Sequence, residues 1–245
     1  MGRLQDKVAV VTGAAGGIGY ATAEKFLEEG ARVVICDMAA DRLEAAAREL
    51  GRKGEVMWAV VDICDEQAVT DMVAQAVERF GSVDILVNNA GITKDAQFYK
   101  MDLDQFRKVM DVNLMGSVNM CKAVVPYMME RRWGRILNSS SVSAFAGNFG
   151  QTNYAASKGA ILSMTRSMGH ELAKYGITVN AVVPGAILTP MTMAIPEEVR
   201  GEKAAKFPTK RWGQPREVAN VYAFLASDEA SYVNATSVTV DGGFL

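Results

Sequence analysis

Tyr154 and Lys158 stand four positions apart, downstream of a loop that carries Ser141. The run from Thr152 onward has helical character. Residues at i and i+4 share one helix face, so a phenol and an ammonium are expected side by side, with a hydroxyl at the mouth of the preceding loop. That grouping has a use in proton transfer. Free tyrosine titrates near ~10, and a unit charge about 4 Å away at an effective dielectric of about 20 is worth roughly 4 kcal/mol. Such a neighbour lowers the phenol by roughly 3 pKa units, towards the range where it exchanges a proton with an alcohol or carbonyl oxygen. Rival chemistries have little to work with. The single histidine, His170, lies in a helical stretch of small and apolar residues where a structural role is expected. Cys36, Cys64 and Cys121 are far apart, and no cluster with metal-ligand spacing appears. With no metal expected, polarisation of a carbonyl has to come from hydrogen bonds, and Ser141 with Tyr154 offers two donors.

These side chains need a scaffold, and the chain opens with one. Residues 7–12 (KVAVVT) form a β-branched run suited to a strand buried on both faces. Gly13, Gly16, Gly17 and Gly19 follow, then a helical pattern over 18–29, a stop at Gly30 and a second strand over 31–36. This is a βαβ unit with glycines where strand turns into helix, where backbone can approach a pyrophosphate and the helix N-terminus offers free N–H groups. The spacing is G-x-x-x-G-x-G, and such turns also serve only to pack helix on strand. Asp37 ends the second strand, where a carboxylate accepts from both ribose hydroxyls of an adenosine and repels a 2′-phosphate. Gly16 supplies no cation for that phosphate, so NAD is expected in preference to NADP.

Strand and helix then keep alternating: helix 40–50, strand 55–61 ending at Asp62, helix 65–80, strand 83–87. A long helix over 102–131 follows, with Asn113 within it, then strand 134–139, the helix of Tyr154 to about residue 174, strand 177–183, helix 215–227 and strand 236–240. The expected fold is α/β, a Rossmann-type doubly wound parallel sheet of seven strands in a single domain spanning 1–245. Asn88-Asn89-Ala90-Gly91 falls on the carboxyl side of the fourth strand, where ligands bind in such sheets. The segment 186–212 is methionine-rich with few regular signals. Composition is 49% hydrophobic and 22% charged with a net charge of −2, and no block of like charge points to nucleic acid or an anionic membrane. The start MGRLQDKVAVVTG has no long apolar region and no 18-residue apolar run follows, so a cytoplasmic protein is expected.

Taken in order, the motifs Thr12-Gly13-x-x-x-Gly17-x-Gly19, Asp62, Asn88-Asn89-Ala90-Gly91, Asn113, Ser141, Tyr154-x-x-x-Lys158, Pro184-Gly185 and Asp241-Gly242-Gly243 resemble those of the short-chain dehydrogenase/reductases over nearly the whole chain. The resemblance implies an oxidoreductase in which Tyr154 is the general acid/base and Ser141 hydrogen-bonds the substrate oxygen. Lys158 would tune the tyrosine and bind the nicotinamide ribose, and Asn113 would hold a water in a proton relay from Lys158. It places Thr12, Gly13, Gly17, Ile18 and Gly19 around the pyrophosphate and Asp62 and Ile63 at the adenine. Asn89, Ala90 and Gly91 fall on the ribose side, and Pro184, Gly185, Ile187 and Thr189 near the nicotinamide.

Within that family the chain is most similar to the 3-oxoacyl thioester reductases, through Gly91-Ile92-Thr93-Lys94-Asp95, Gln151-x-Asn153-Tyr154 and Gly176-Ile177-Thr178-Val179-Asn180. Three departures stand out. Asp37 suggests oxidation with NAD. Arg132 matches one half of an expected carrier-protein docking pair but Tyr175 holds the other, which favours coenzyme A as the acyl carrier. Ala235 stands where a glycine is common. The expected substrate is a 3-hydroxyacyl-CoA or 3-oxoacyl thioester, met by Phe98, Phe145, Phe149, Met191, Met193 and Ile195. Lys203, Lys206 and Lys210 face CoA phosphates or simply solvent. The alternatives are a free sugar, polyol or cyclic alcohol, or a nucleotide-binding structural subunit. A homotetramer is implied, with a hetero-oligomer of related chains left open.

Overall fold

The β-branched runs become strands and the amphipathic stretches between them become crossover helices. The computed structural model describes residues 2–245, apart from the side chain of Met191. The strands are β1 Val8–Thr12, β2 Arg32–Asp37, β3 Val56–Val60, β4 Ile85–Asn88, β5 Gly134–Ser139, β6 Ile177–Pro184 and β7 Ser237–Val240. They pair in parallel in the order β3-β2-β1-β4-β5-β6-β7. The direction of travel across the sheet reverses between β1 and β4, the place where open α/β sheets bind ligands. The central strands β1, β4, β5 and β6 are buried along their whole length, as their continuous apolar runs require.

The helices are α1 Gly17–Glu28, α2 Ala40–Leu50, α3 Glu66–Phe80, α4 Leu103–Met110, α5 Gly116–Arg131, α6 Ser143–Ala146, α7 Thr152–Leu172, α8 Pro190–Met193, α9 Glu197–Ala204 and α10 Pro215–Ala226. Two apolar layers result. On one face Phe26, Leu43, Leu50, Val218 and Tyr222 from α1, α2 and α10 cover the sheet. On the other, Met72, Val73, Met120, Val124 and Met128 from α3 and α5 do so, with Met168 and Leu172 of α7 packed against them. No helix among the described residues is long and apolar enough to cross a membrane.

The structure differs from the sequence pattern in two places that bear on the site. The helix expected over 102–131 is interrupted by a π-helical turn, Asp111–Met115, centred on Asn113. The asparagine is fully buried and its side chain bonds outside the helix, and such a π turn accommodates one residue too many for regular α spacing. The stretch after Ser141 is not all loop either, because residues 143–146 close one short helical turn, α6.

Candidate active site

A cavity of about 520 Å³ opens at the carboxyl ends of the central strands. One side is built from the turn after β1. Gly13 adopts φ 65°, and a Cβ on it would come within 2.8 Å of the Ala90 Cα, so the turn after β4 lies directly against it. Thr12 joins these turns. Its hydroxyl accepts from the backbone N–H groups of Asn89 and Ala90, both at 3.0 Å, while the Asn89 amide donates to the Thr12 and Gly13 carbonyls at 3.0 and 3.2 Å. The N-terminus of α1 has Gly16 before it and no side-chain cap, so its first N–H groups keep their hydrogen-bonding capacity for an anion.

Asp37 lines the same cavity, at the end of β2. Its carboxylate accepts from the Ala15 N–H at 3.2 Å and the Ala39 N–H at 3.0 Å, which tie the glycine-rich turn to the next crossover. Asp62 accepts from the Cys64 N–H at 2.9 Å, and Ile63 is buried beside it.

The opposite side carries Ser141, Tyr154 and Lys158, all on the cavity wall. Lys158 is buried on α7, and its ammonium donates to the Ser139 carbonyl at 2.7 Å. It lies 5.7 Å from the centroid of the Tyr154 ring, so the shared helix face expected from the spacing is realised. Burial lowers the lysine to about 8. The phenol does not follow the expectation of a depressed pKa. Burial pushes Tyr154 up, the Ser141 hydroxyl opposes that shift, and the Asp95 carboxylate adds to it. Loss of hydration therefore dominates, and the Lys158 ammonium, whose short bond goes to the Ser139 carbonyl, does not counter it. No hydrogen bond of standard geometry joins the Ser141 and Tyr154 hydroxyls, and Ser141 Oγ accepts instead from the Ser143 N–H at 3.2 Å, where α6 starts.

Asn113 stands behind this pair. Its Oδ1 accepts from the Ile92 N–H at 2.8 Å, and its Nδ2 donates to the Ile92 carbonyl at 3.1 Å and to Ser157 Oγ at 3.0 Å. Ser157 donates in turn to the Tyr154 carbonyl at 2.8 Å. One Oδ1 lone pair stays free. A Cβ on Gly91 would lie 3.2 Å from that oxygen and 3.4 Å from the Lys158 nitrogen, so both atoms border the same small space. The stretches 91–95 and 151–154, far apart in sequence, are likewise joined. Asn153 donates to the Lys94 carbonyl at 2.9 Å and Gln151 to the Asp95 carboxylate at 3.0 Å.

The remaining wall is the stretch after β6. Pro184, Gly185, Ile187 and Thr189 all line the cavity. Thr189 and Thr192 form a reciprocal capping box with Pro190 at the first turn of α8, and Thr192 Oγ1 also donates to the Ile187 carbonyl at 2.7 Å. Ser141, Tyr154, Lys158, Gly13, Gly17, Ile18, Asp37, Asp62, Ile63, Asn89, Ala90 and Gly91 thus reach one cavity with these four. Thr12, Gly19 and Asn113 lie behind the wall and act on it through their neighbours. Phe98, Phe145 and Phe149 are exposed, at 71%, 53% and 83%, and stand outside the lining; the Met191 side chain lies outside the described residues. His170 is exposed on the last turn of α7.

Two residues escaped the sequence reading. Arg42, in the first turn of α2, lines the cavity with Asp37 and brings a cation to that end. Its position five residues past Asp37, in the same crossover, was the available signal. Tyr222 of α10 is fully buried with its phenol oxygen unpaired, and burial raises its pKa. An apolar helix face gives no sign of such a hydroxyl.

Comparison with known proteins agrees with this architecture. A family model described as enoyl-(acyl carrier protein) reductase matches residues 13–245. The chain is 45% identical over 244 residues to the 3-oxoacyl-[acyl-carrier-protein] reductase FabG of Thermotoga maritima, covering 99% of both chains. It is 42% identical over 240 residues to the FabG of Vibrio cholerae, covering 98% of each. A crystal structure of levodione reductase superposes with a TM-score of 0.93 at 38% identity, again over 98% of both chains. The chain belongs to the short-chain dehydrogenase/reductase family. It is therefore an oxidoreductase of CH–OH groups that binds a nicotinamide cofactor.

Proposed function

We propose that this protein interconverts a 3-hydroxyacyl and a 3-oxoacyl thioester, with NAD as cofactor and coenzyme A as the acyl carrier. The whole chain then works as one domain in the cytoplasm. The observation that carries the reading is the meeting, in one cavity, of the Ser141, Tyr154 and Lys158 side chains with an uncapped helix N-terminus and the Asp37 carboxylate. The glycine cradle and the free N–H groups of α1 fit a pyrophosphate. Gly13, Gly17, Ile18, Asp37, Asp62, Ile63, Asn89, Ala90, Gly91, Ile187 and Thr189 would hold the dinucleotide, with Thr12 and Gly19 keeping the cradle closed. The nicotinamide supplies or accepts the hydride.

The chain's own residues handle the proton. In the reducing direction the substrate oxygen receives hydrogen bonds from Ser141 and Tyr154, and Tyr154 passes its proton to that oxygen as charge develops. A high phenol pKa suits the acid of that step, since the proton stays on until the acceptor becomes basic. Reprotonation then runs from the Lys158 ammonium. The space beside Gly91 is bordered by that ammonium and the free Asn113 lone pair, which supports a water there linking the lysine to solvent. Asn113 also braces the site, since it ties the π turn to Ile92 and to the helix of Tyr154.

Asp37 supports NAD, because a 2′-phosphate would meet like charge; Arg42 at the same end is the feature that most opposes this preference. Tyr175 supports coenzyme A, since it holds the second position of the carrier-protein docking pair with no cation to offer. Arg132, which matches the first position, donates to the Lys174 carbonyl at 2.7 Å and lies 5.9 Å from the Tyr175 ring. The likeness to levodione reductase supports a second reading, a free cyclic ketone or alcohol as substrate. Steady-state assays separate the two. Turnover of acetoacetyl-CoA with NADH at least about tenfold faster than with NADPH, on the scale of a like-charge clash, is the expected result. Activity confined to free alcohols would remove the thioester reading. We further propose a homotetramer, for which the exposed Leu103 and Met115 supply apolar surface; light scattering at a monomer mass would reject it.

A further inference from the structure

The substrate-side segment has little of its own to hold it. α9 contains no fully buried residue, and only Arg200 and Ala204 on one face are half-buried, so that face gives it little hold on the body. Its attachment runs through Trp212, only 8% exposed, whose indole N–H donates to the Arg200 carbonyl at 3.0 Å. Trp212 meets the Phe207 ring edge-on, with centroids 6.1 Å apart and planes at 74°. Phe207 meets Phe244, next to the last residue, at 5.7 Å and 89°.

The chain end is bent to make this contact. Gly242 and Gly243 adopt φ of 67° and 84°, a left-handed pair that side-chain-bearing residues avoid. The Asp241 carboxylate accepts from the Gly243 and Leu245 N–H groups, both at 2.9 Å, and pins the bend. A Cβ on Gly242 would lie 2.5 Å from Thr209 Oγ1, and one on Gly243 would lie 3.5 Å from the Pro208 ring. At its base the tail is joined to the cavity wall, since the Gly185 N–H donates to the Val240 carbonyl at 3.0 Å. The tail thus bridges the firm wall after β6 and the loosely held segment that continues from it.

We propose that Phe244 is a positioning residue for substrate. The cavity lining ends at Thr192 and α9 lies beyond it; through Phe207 and Trp212 the C-terminal tail sets where α9 stands, and so where it meets a substrate that extends past Thr192. The substrate half of this statement rests on the proposed thioester reading; the mechanical half does not. Lys203, Lys206 and Lys210 are exposed along the segment, so trypsin reads its local opening directly and without any substrate.

The experiment compares the full-length protein with Phe244→Ala and Phe244→Tyr. Phe244→Ala should be cut between residues 200 and 210 roughly three- to tenfold faster, the scale of one lost edge-to-face ring pair. Its KM for acetoacetyl-CoA should rise by a similar factor while kcat and NADH affinity, read by fluorescence, hold steady. Phe244→Tyr keeps the ring and should restore both. Unchanged trypsin cutting in Phe244→Ala would overturn the proposal. So would KM and NADH affinity moving together, or a large fall in Tm, which would indicate a core role instead. Should the wild-type protein fail to turn over the thioester, the substrate reading falls, and the cleavage rates still decide what the tail does.

Discussion

The glycine-rich side of the cavity, where we place the dinucleotide, and the segment beyond Thr192, where we place the far end of the substrate, are built by different means. On the first, polar groups at the strand ends satisfy one another: Thr12 with Asn89 and Ala90, and Asp37 with Ala15 and Ala39. These bonds join strands already buried in the sheet, so moving one atom disturbs several partners in a region of low dielectric. On the second, α9 has no fully buried residue, only Arg200 and Ala204 half-buried, and is tethered by one indole, two phenylalanines and a bent tail. A change there alters the segment past Thr192 without touching the sheet. The glycine-rich side holds a geometry, while the segment past Thr192 can vary at little cost in stability.

Substitutions can break or sharpen that contrast. The largest effect is expected at the shared face of the two halves. Tyr154→Phe should lower kcat by roughly 10²- to 10⁴-fold, the range for removing a general acid/base, with NADH binding unchanged by fluorescence titration. A loss below tenfold would move the proton transfer elsewhere.

Next comes the cost of burying Lys158. Its pKa is lowered to about 8 in the fold, so the unfolded chain binds more protons than the folded one above that pH. Stability contributed at this position therefore rises as pH climbs from about 8 to the unfolded value, and the penalty is fully present below. Lys158→Met should be inactive yet more stable than wild type at pH 7, by on the order of 2 kcal/mol. That gap should narrow as denaturant melts are repeated towards pH 10.

Matched small changes in the two halves test the comparison itself. A Cβ on Gly19 would press on the Gly13 carbonyl and lie 2.7 Å from the Asn89 amide nitrogen. Gly19→Ala should cost about 1–3 kcal/mol of stability, as overpacking does, and weaken NADH binding. Val199→Ala on α9 should stay within about 0.5 kcal/mol. Equal losses at the two positions would refute the division into a firm and a yielding half. The smallest effect is expected at Ala235, held at φ 57° beside Gly169. Ala235→Gly should raise stability by up to about 1 kcal/mol, since the left-handed conformation penalises a Cβ.

Much of this could be read from residue order because the rules involved are short-range. Valine runs bounded by glycine mark buried parallel strands, and the four-residue spacing of Tyr154 and Lys158 puts them on one face whatever surrounds the helix. The π turn at Asn113 was not legible, since it depends on bonds to Ile92 and Ser157, which come from two other parts of the chain. Arg42 escaped for a similar reason: only the packing of α2 decides whether an arginine there faces the cavity or solvent. The phenol's pKa was misjudged because Coulomb attraction can be guessed from spacing while loss of hydration cannot. Phe145 and Phe149, apolar and close in sequence to Tyr154, stand exposed and off the lining, because α6 and the turn after it carry them outward.

The sequence by itself determined the alternation of strand and helix, the glycine-rich first crossover, the acidic end of β2 and the face of α7 that Tyr154 and Lys158 share. Those follow from local periodicity and from which residues backbone geometry admits. Tertiary structure alone decided how burial shifts Tyr154 and Lys158, which residues behind the wall support it, and how the chain end reaches α9. Each of those depends on the dielectric and the contacts made by segments distant in sequence, quantities that come into existence only when the sheet closes.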